Sequence, residues 1–273
     1  MAYFNAAPTS VCPQPRGQSI PTPATTAGIR RPALTLLGSE PWRAARELVA
    51  HAFNRAQSRA AGDGHPVIIF PGLGASGISV TPLREHCLAL GYAAFDWGQG
   101  YNRGPVGDFD DWISVLAARI DEVLEPFSQS ATLIGWSLGG LYARELAKRM
   151  APRVRQVITF GTPFNADADH TNVGWLFRLI SGNAAKLDPE TRARLRQPPP
   201  VPTTSIYSRA DGVVAWQTCR HPESAEFVED IEIVGSHIGM GWNPVVLDMV
   251  ADRLAQAPGR WRPYADYRPS ASM

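Results

Sequence analysis

One serine stands where the chain must turn sharply between two kinds of secondary structure. The stretch LIGWSLGG, Leu133 to Gly140, contains the pattern G-x-S-x-G around Ser137. Strand formers precede this serine and helix formers follow it. Gly135 and Gly139 would let strand and helix approach closely, so that the turn lifts the serine hydroxyl out of the sheet. A serine that only caps the helix is the alternative, but the context favours a nucleophile.

A serine hydroxyl needs a general base, and the base needs a partner that orients it. Of the six histidines, only His237 directly follows a predicted late strand, in IVGSHIGMG. The glycines around it are expected to leave the backbone free to bring the imidazole over the sheet edge. His221, in the loop CRHPE, is the competing candidate.

The orienting acid is predicted at Asp211, in SIYSRADGVV, just past a strand that ends near Ser208. Because Asp-Gly is also a common turn pair, a simple reverse turn is the alternative. Asp96, which follows the strand YAAFD, is a second candidate for the acid.

A glycine-rich loop, FPGLGASG, follows the first predicted strand of the sheet. Gly72 and Gly74 leave the backbone amides around Leu73 accessible. The same stretch also fits G-x-G-x-x-G, so a dinucleotide-binding protein is an alternative interpretation. For that reading, Asp96 is the only acidic residue at the end of the next strand.

The elements that position these residues alternate along the chain. Uninterrupted apolar strands, from HPVIIF to TTSIYS and IEIVGS, alternate with helices. This pattern predicts an α/β fold with a parallel sheet covered on both faces, and chemistry at the carboxyl ends of the strands. Before the sheet, a helix is expected from Ser39, with Trp42, Leu48 and Val49 on one apolar face.

Composition narrows the classes of protein that the sequence can encode. The 273 residues are 44% apolar and 19% charged, with a net charge of +1. This length is enough for one large domain or two small ones. The sequence has no Lys/Arg cluster of the kind that would indicate a nucleic-acid partner. Because no signal peptide or apolar run of membrane-spanning length is recognisable, we expect a soluble, cytoplasmic protein without stable membrane insertion. The three cysteines form no framework, and pairing of Cys87 with Cys219 stays open.

Five motifs in order give the chain a specific resemblance: FPGLGASG, LIGWSLGGLYARELAKR, VRQVITFGTPF, IYSRADGVV and GSHIGMG. Over most of Val67 to Leu254 it resembles α/β-hydrolases of the bacterial lipase/esterase type. The resemblance implies the α/β-hydrolase fold, a mainly parallel central sheet with helices on both faces and a cap or lid insertion. The order Ser137, Asp211, His237 is the one found in that fold.

The resemblance also implies roles and an activity. Ser137 would be the nucleophile, Asp211 the acid, His237 the base, and Leu73 and Leu138 the amide donors of an oxyanion hole. The substrate would be a small-molecule carboxylic ester, with no metal or organic cofactor. Many lipases carry His-Gly where this chain has Pro71-Gly72. Thioesterases and acyltransferases use the same machinery, and a non-catalytic binding protein on this fold is a more distant alternative.

The predicted domain organisation has three parts: a Pro-rich arm over 1–32, a hydrolase domain over 33–260 and a tail over 261–273. Residues 165–202 are too long for a plain connection and are expected to form a cap or lid. Its apolar residues are predicted to bind substrate: Trp175, Leu176, Phe177 and Ile180. The alternative is that this apolar face packs on the helices of the sheet.

Overall fold

The computed structural model describes residues 29–53, 62–165 and 189–264. In these ranges six strands form one sheet, in which all neighbouring strands are parallel. They are β1 (Pro66–Phe70), β2 (Ala93–Asp96), β3 (Ala131–Trp136), β4 (Val154–Phe160), β5 (Thr203–Ser208) and β6 (Val228–Ile233). The predicted α/β fold with a mainly parallel central sheet is confirmed.

The strand order creates a crevice at the centre of the sheet. The order is β2-β1-β3-β4-β5-β6, so the chain first adds a strand on one side of β1 and then continues on the other. Loops that follow β1 and β3 therefore leave the sheet edge in opposite directions. In open α/β sheets such a switch point is where ligands bind.

Helices cover both faces of the sheet, as continuous apolar strands require. They are α1 (Leu34–Phe53), α2 (Thr81–Ala89), α3 (Phe109–Leu124), α4 (Leu138–Arg149), α5 (Pro189–Arg196) and α6 (Pro244–Leu254). Side chains of α3 and α4 pack with Ile68 and Leu133 on one face. Those of α2 and α6 pack with Ile69 and Ile134 on the other.

The last strand begins three residues earlier than the apolar pattern predicted, at Val228 instead of Ile231. It pairs only with β5 and lies at the sheet edge, so its first half needs no apolar run. Gly235 and Ser236, predicted to extend the strand, belong instead to the loop. There the Ser208 hydroxyl donates to the Gly235 carbonyl at 2.8 Å.

The first helix differs from its prediction in both start and orientation. It begins at Leu34 rather than Ser39. The face assumed to be its core side is exposed: Trp42 is 71% and Val49 57% accessible. Glu40 and Ala44 instead point inward and are 1% and 4% accessible. The apolar pattern predicted the wrong inward face. The carboxylates on the true inward face accept hydrogen bonds from other parts of the chain, and an apolar pattern does not indicate such partners.

Three further expectations concern the cysteines, membrane-spanning helices and the segments at either end of the domain and in the cap. Cys87 and Cys219 are free thiols, buried on opposite faces of the sheet, which settles their pairing. Across 29–53, 62–165 and 189–264, no helix combines the length and apolarity needed to cross a bilayer. Most of the predicted arm, tail and cap, including residues 166–188, lies outside the described residues.

Candidate active site

The predicted catalytic residues lie at one edge of the sheet. Ser137 directly follows β3, and Asp211 and His237 lie in the loops after β5 and β6. Because all strands are parallel, these loops emerge at the same, carboxyl edge. Ser137 lies beside the switch point between β1 and β3.

The turn at Ser137 is strained and held by packing. Its backbone has φ 52° and ψ −119°, a left-handed conformation that costs a non-glycine residue about 1–3 kcal/mol. The Ser137 amide donates to the Phe160 carbonyl at 2.9 Å, which anchors the turn to β4. A Cβ on Gly139 would lie 2.3 Å from the Phe70 carbonyl oxygen. Only glycine therefore lets α4 start this close to β1.

Asp211 and His237 form a buried hydrogen-bonded pair. His237 Nδ1 and Asp211 Oδ2 are 2.6 Å apart, and the two residues are 6% and 3% exposed. The other carboxylate oxygen accepts the amides of Val213 and Val214 at 2.8 and 2.7 Å. Those amides fix the carboxylate and leave Oδ2 for the imidazole. With Nδ1 donating to Asp211, Nε2 is the nitrogen able to take a proton.

Opposing effects set the protonation of His237. Burial lowers its pKa, but the charge of Asp211, the hydrogen bond to Asp211 and the charge of Glu40 outweigh burial and raise the pKa above its ordinary value. The folded protein thus stabilises the imidazolium form more than an ordinary solvent-exposed site does. Such stabilisation suits a base that must carry a proton during a reaction.

The loop that carries His237 contacts both sides of the Ser137 turn. Trp136 Nε1, from the residue before the serine, donates to the His237 carbonyl at 3.1 Å. Gly161 follows the Phe160 carbonyl that anchors Ser137, and a Cβ on it would lie 3.0 Å from His237 Cε1. The structure therefore brings the loop of His237 against the turn of Ser137.

The loop after β1 and the first turn of α4 carry the two predicted oxyanion donors. A Cβ on Gly72 would lie 3.4 Å from Ser137 Cβ, so this loop lies beside the serine. The Gly74 and Ala75 amides are used within the fold, donating to the carbonyls of Asn102 and Gly72 at 2.8 and 3.1 Å. The Leu138 amide, in the first turn of α4, has no intrahelical acceptor. Leu73 and Leu138 stay the proposed donors.

Asn102 is a residue of the site that the sequence reasoning missed. It is fully buried, and its Nδ2 donates to the Pro71 carbonyl at 2.8 Å. Its Oδ1 accepts the Gly104 amide at 3.1 Å and the Tyr142 hydroxyl at 3.2 Å. Asn102 thus holds the start of the glycine-rich loop against α4. The one sequence signal was Asn-x-Gly after β2, which is typical of an Asx turn.

The structure gives the competing base candidate another set of partners. His221 Nδ1 donates to Asp230 Oδ1 at 2.7 Å, and its Nε2 lies 3.0 Å from Arg144 Nη1. Because a guanidinium can only donate, Nε2 is occupied as an acceptor. Burial and the charge of Arg144 lower the pKa of His221 despite the hydrogen bond to Asp230. His221 is therefore bound within a buried ionic cluster.

The second acid candidate, Asp96, lies in a turn away from His237. Asp96 Oδ1 accepts the Gly98 amide at 2.8 Å, and its other oxygen packs against Gly77, so it closes a turn after β2. Trp175, Leu176, Phe177 and Ile180 lie outside the described residues. Within the described ranges, no three or more His, Cys, Asp and Glu side chains are grouped so as to hold a metal ion.

Comparisons with known proteins agree with this architecture. A family model described as the alpha/beta hydrolase family matches residues 67–272. A pimeloyl-[acyl-carrier protein] methyl ester esterase of Shewanella woodyi is 31% identical over 102 residues, 37% of this chain and 37% of that relative. The chain thus spans well under half the length of this curated relative.

Solved structures of lipolytic enzymes share the fold. One, from work on the metagenome-derived lipolytic enzymes LipS and LipT, has a TM-score of 0.55 and 14% identity, and the match covers 71% of this chain and 95% of that one. A monoacylglycerol lipase of Paleococcus ferrophilus has a TM-score of 0.53 and 14% identity, with 72% and 96% covered. At an identity this low, the similarity shows a shared fold alone.

Proposed function

Since the chain belongs to the alpha/beta hydrolase family, we propose that it is a serine hydrolase that cleaves carboxylic esters. The observation that carries this proposal is the buried His237–Asp211 pair, 2.6 Å apart, at the sheet edge where Ser137 holds a left-handed backbone. A strained serine at the same sheet edge as an oriented imidazole is the arrangement that acyl transfer requires. The partial similarity to a methyl ester esterase supports an ester as the substrate.

The mechanism follows from the roles of these atoms. Ser137 Oγ attacks the ester carbonyl carbon while His237 Nε2 takes its proton. The amides of Leu73 and Leu138 stabilise the developing oxyanion, and Asp211 stabilises the imidazolium. His237 then gives its proton to the departing alcohol, which leaves an acyl-Ser137 ester. Water, deprotonated by His237, attacks this ester, and His237 then returns the proton to Ser137 Oγ as the acid departs.

Steady-state hydrolysis of p-nitrophenyl esters and acyl thioesters of graded chain length tests the proposal. We expect Ser137→Ala and His237→Ala each to remove nearly all ester turnover, and the double variant to lose little more, because the triad acts as a unit. Turnover of more than a few per cent in folded Ser137→Ala would reject the nucleophile. A strong preference for thioesters would move the activity to thioester cleavage by the same residues.

We further propose that the part of 165–202 that precedes α5 forms a cap over the site, within a hydrolase domain of residues 33–260 between the arm and the tail. Leu195 of α5 itself packs in the core with α3 and α4. In the sequence, Leu176 and Ile180 are four residues apart and would share a face of a short helix with Trp175 and Phe177 nearby. Leu176→Asp should then lower kcat/KM for long acyl esters and largely spare acetate, since each methylene contact contributes about 1 kcal/mol. Equal losses for acetate and long esters would favour simple packing.

A further inference from the structure

The inward face of α1 is charged, although the helix lies against the body of the protein. Glu40 is 1% exposed, and Arg43 and Glu47 follow at helical spacing on the same side. A buried carboxylate is costly unless its oxygens accept hydrogen bonds. The hydrogen-bond partners of Glu40, Arg43 and Glu47 therefore show what this helix does.

Glu40 binds the backbone directly after both members of the buried pair. Its Oε1 accepts the Gly212 amide at 2.8 Å, and Gly212 follows Asp211. Its Oε2 accepts the Ile238 amide at 3.0 Å, and Ile238 follows His237. One carboxylate thus connects the acid loop to the base loop.

Two neighbouring side chains bind the residues directly before the pair. Arg43 Nη1 donates to the Ala210 carbonyl at 2.6 Å, while its Nη2 donates to Glu40 Oε1 at 2.7 Å. Glu47 Oε1 accepts the Ser236 amide at 2.7 Å. Asp211 and His237 are therefore each flanked on both sides by backbone groups that α1 holds.

The two loops have glycine at positions where α1 comes close to them. A Cβ on Gly212 would lie 2.5 Å from the Leu36 carbonyl carbon, and one on Gly239 would lie 1.8 Å from Glu47 Oε2. Gly239 was expected to free the backbone around His237. Its contact shows that it makes room for Glu47.

The charges around His237 come from the acid loop and from α1. Asp211 and Glu40 act on the imidazole directly, and both raise the pKa of His237 against the lowering by burial. Arg43 neutralises part of the Glu40 charge through their ion pair. Glu47 lies next along the helix, where burial raises its own pKa despite hydrogen bonds from Ser236 and Asn243.

We propose that Glu40 is a positioning residue that holds Asp211 and His237 in register, and that α1 completes the active site although it precedes the residues 67–272 that match the family. The inference rests on the proposed function of that pair. Glu40 touches neither substrate nor the reacting atoms. It acts through the two loops and through its charge.

Glu40→Gln in the full chain tests the inference, because it keeps the shape but removes the charge and one acceptor oxygen. We expect kcat for p-nitrophenyl butyrate to fall about 10- to 100-fold with little change in KM, since loop displacements of this kind misplace the base. The pH at which kcat/KM reaches half its plateau should move down, because loss of a negative charge lowers the pKa of His237. Glu85→Gln, the same change at an exposed position of α2, should alter neither.

Glu40→Asp separates the effect of the charge of Glu40 from the effect of its side-chain length. It keeps the charge but shortens the side chain, so kcat should fall while the pH midpoint stays closer to wild type than in Glu40→Gln. If Glu40→Gln does not fold, Glu47→Gln should lower kcat in the same sense through Ser236. Unchanged kcat and pH midpoint in the folded variants would overturn the positioning role.

An NMR titration of the His237 Cε1 proton keeps this test separate from the proposed function. The resonance is assigned by its loss in His237→Gln, and the titration requires no turnover. A lower His237 pKa in Glu40→Gln supports the coupling even if the wild-type protein cleaves no ester. An unchanged pKa together with unchanged ester turnover would reject the role of Glu40 and leave the esterase proposal standing.

Discussion

Replacing Asn102 by alanine should separate the stability of the glycine-rich loop from its part in catalysis. The asparagine side chain joins the Pro71 carbonyl, the Gly104 amide and the Tyr142 hydroxyl in a fully buried position. Alanine removes all three bonds. The backbone bonds of Asn102 to Gly74 and Ala75 stay possible, so the loop should remain folded but lose its anchor at Pro71.

The magnitudes follow from these bonds. Each hydrogen bond contributes about 1 kcal/mol net, so Asn102→Ala should lower the free energy of unfolding by about 3 kcal/mol. Tyr142→Phe removes only one bond and leaves Gly104 on the same oxygen, which should cost about 1 kcal/mol. Loss or displacement of one oxyanion donor lowers kcat by about 10²- to 10³-fold. Asn102→Ala should approach that loss, and Tyr142→Phe should stay near wild type.

Urea unfolding and ester hydrolysis, measured on the same preparations, check both parts. Turnover is compared at a temperature where both variants are fully folded, with kcat and KM determined separately. We expect the loss of Asn102→Ala to appear mainly in kcat, because the oxyanion develops only in the transition state. A loss of about 3 kcal/mol in stability with wild-type kcat would refute the link between Asn102 and the oxyanion loop.

Four further predictions concern the serine turn and the two histidine pairs. Ser137→Gly should be more stable to urea than Ser137→Ala by about 1 kcal/mol, because glycine relieves the left-handed strain; equal stability would mean that the turn stores none. The rise of kcat/KM with pH should be centred above the ordinary histidine pKa, since the proposed base acts in its neutral form and the pKa of His237 is raised. Because folding raises the pKa of His237, the stability that this residue contributes is complete below its pKa in the unfolded chain. That stability is lost as the pH rises through its pKa in the folded protein. Urea unfolding of wild type and His237→Gln at several pH values would detect this loss. His221→Ala should lower the free energy of unfolding by about 3 kcal/mol, because it leaves Arg144 and Asp230 without their shared partner, while kcat of the folded variant should stay within a few-fold of wild type.

Much of the architecture could be predicted because its signals are local. Apolar runs such as VIIF and TLIG, each bounded by turn residues, are sufficient to indicate buried parallel strands. The positions of Ser137, Asp211 and His237 after three strands then place them at one sheet edge, and the structure does bring Asp211 to His237. The edge strand β6 was misplaced because half-exposed polar residues in a strand give no apolar run.

The contacts that support the site could not be predicted from local patterns. Glu40 lies 172 residues before Gly212 and 198 before Ile238, and nothing around it in the sequence distinguishes it from a surface glutamate. Its helix has a conventional apolar face, and that face is exposed. Asn102 likewise binds Pro71 across the sheet edge. Burial of polar groups depends on partners distant in sequence, which periodicity does not contain.

Covalent labelling of the nucleophile tests the central claim most directly. A fluorophosphonate should react with the native protein at Ser137 Oγ, forming a phosphorus–oxygen bond with loss of fluoride, and intact-mass spectrometry should show one adduct. Peptide mapping should place that adduct on Ser137, and both Ser137→Ala and urea-unfolded protein should remain unlabelled. An adduct on another serine, or none on the folded wild-type protein, would contradict the assignment of Ser137 as an activated nucleophile.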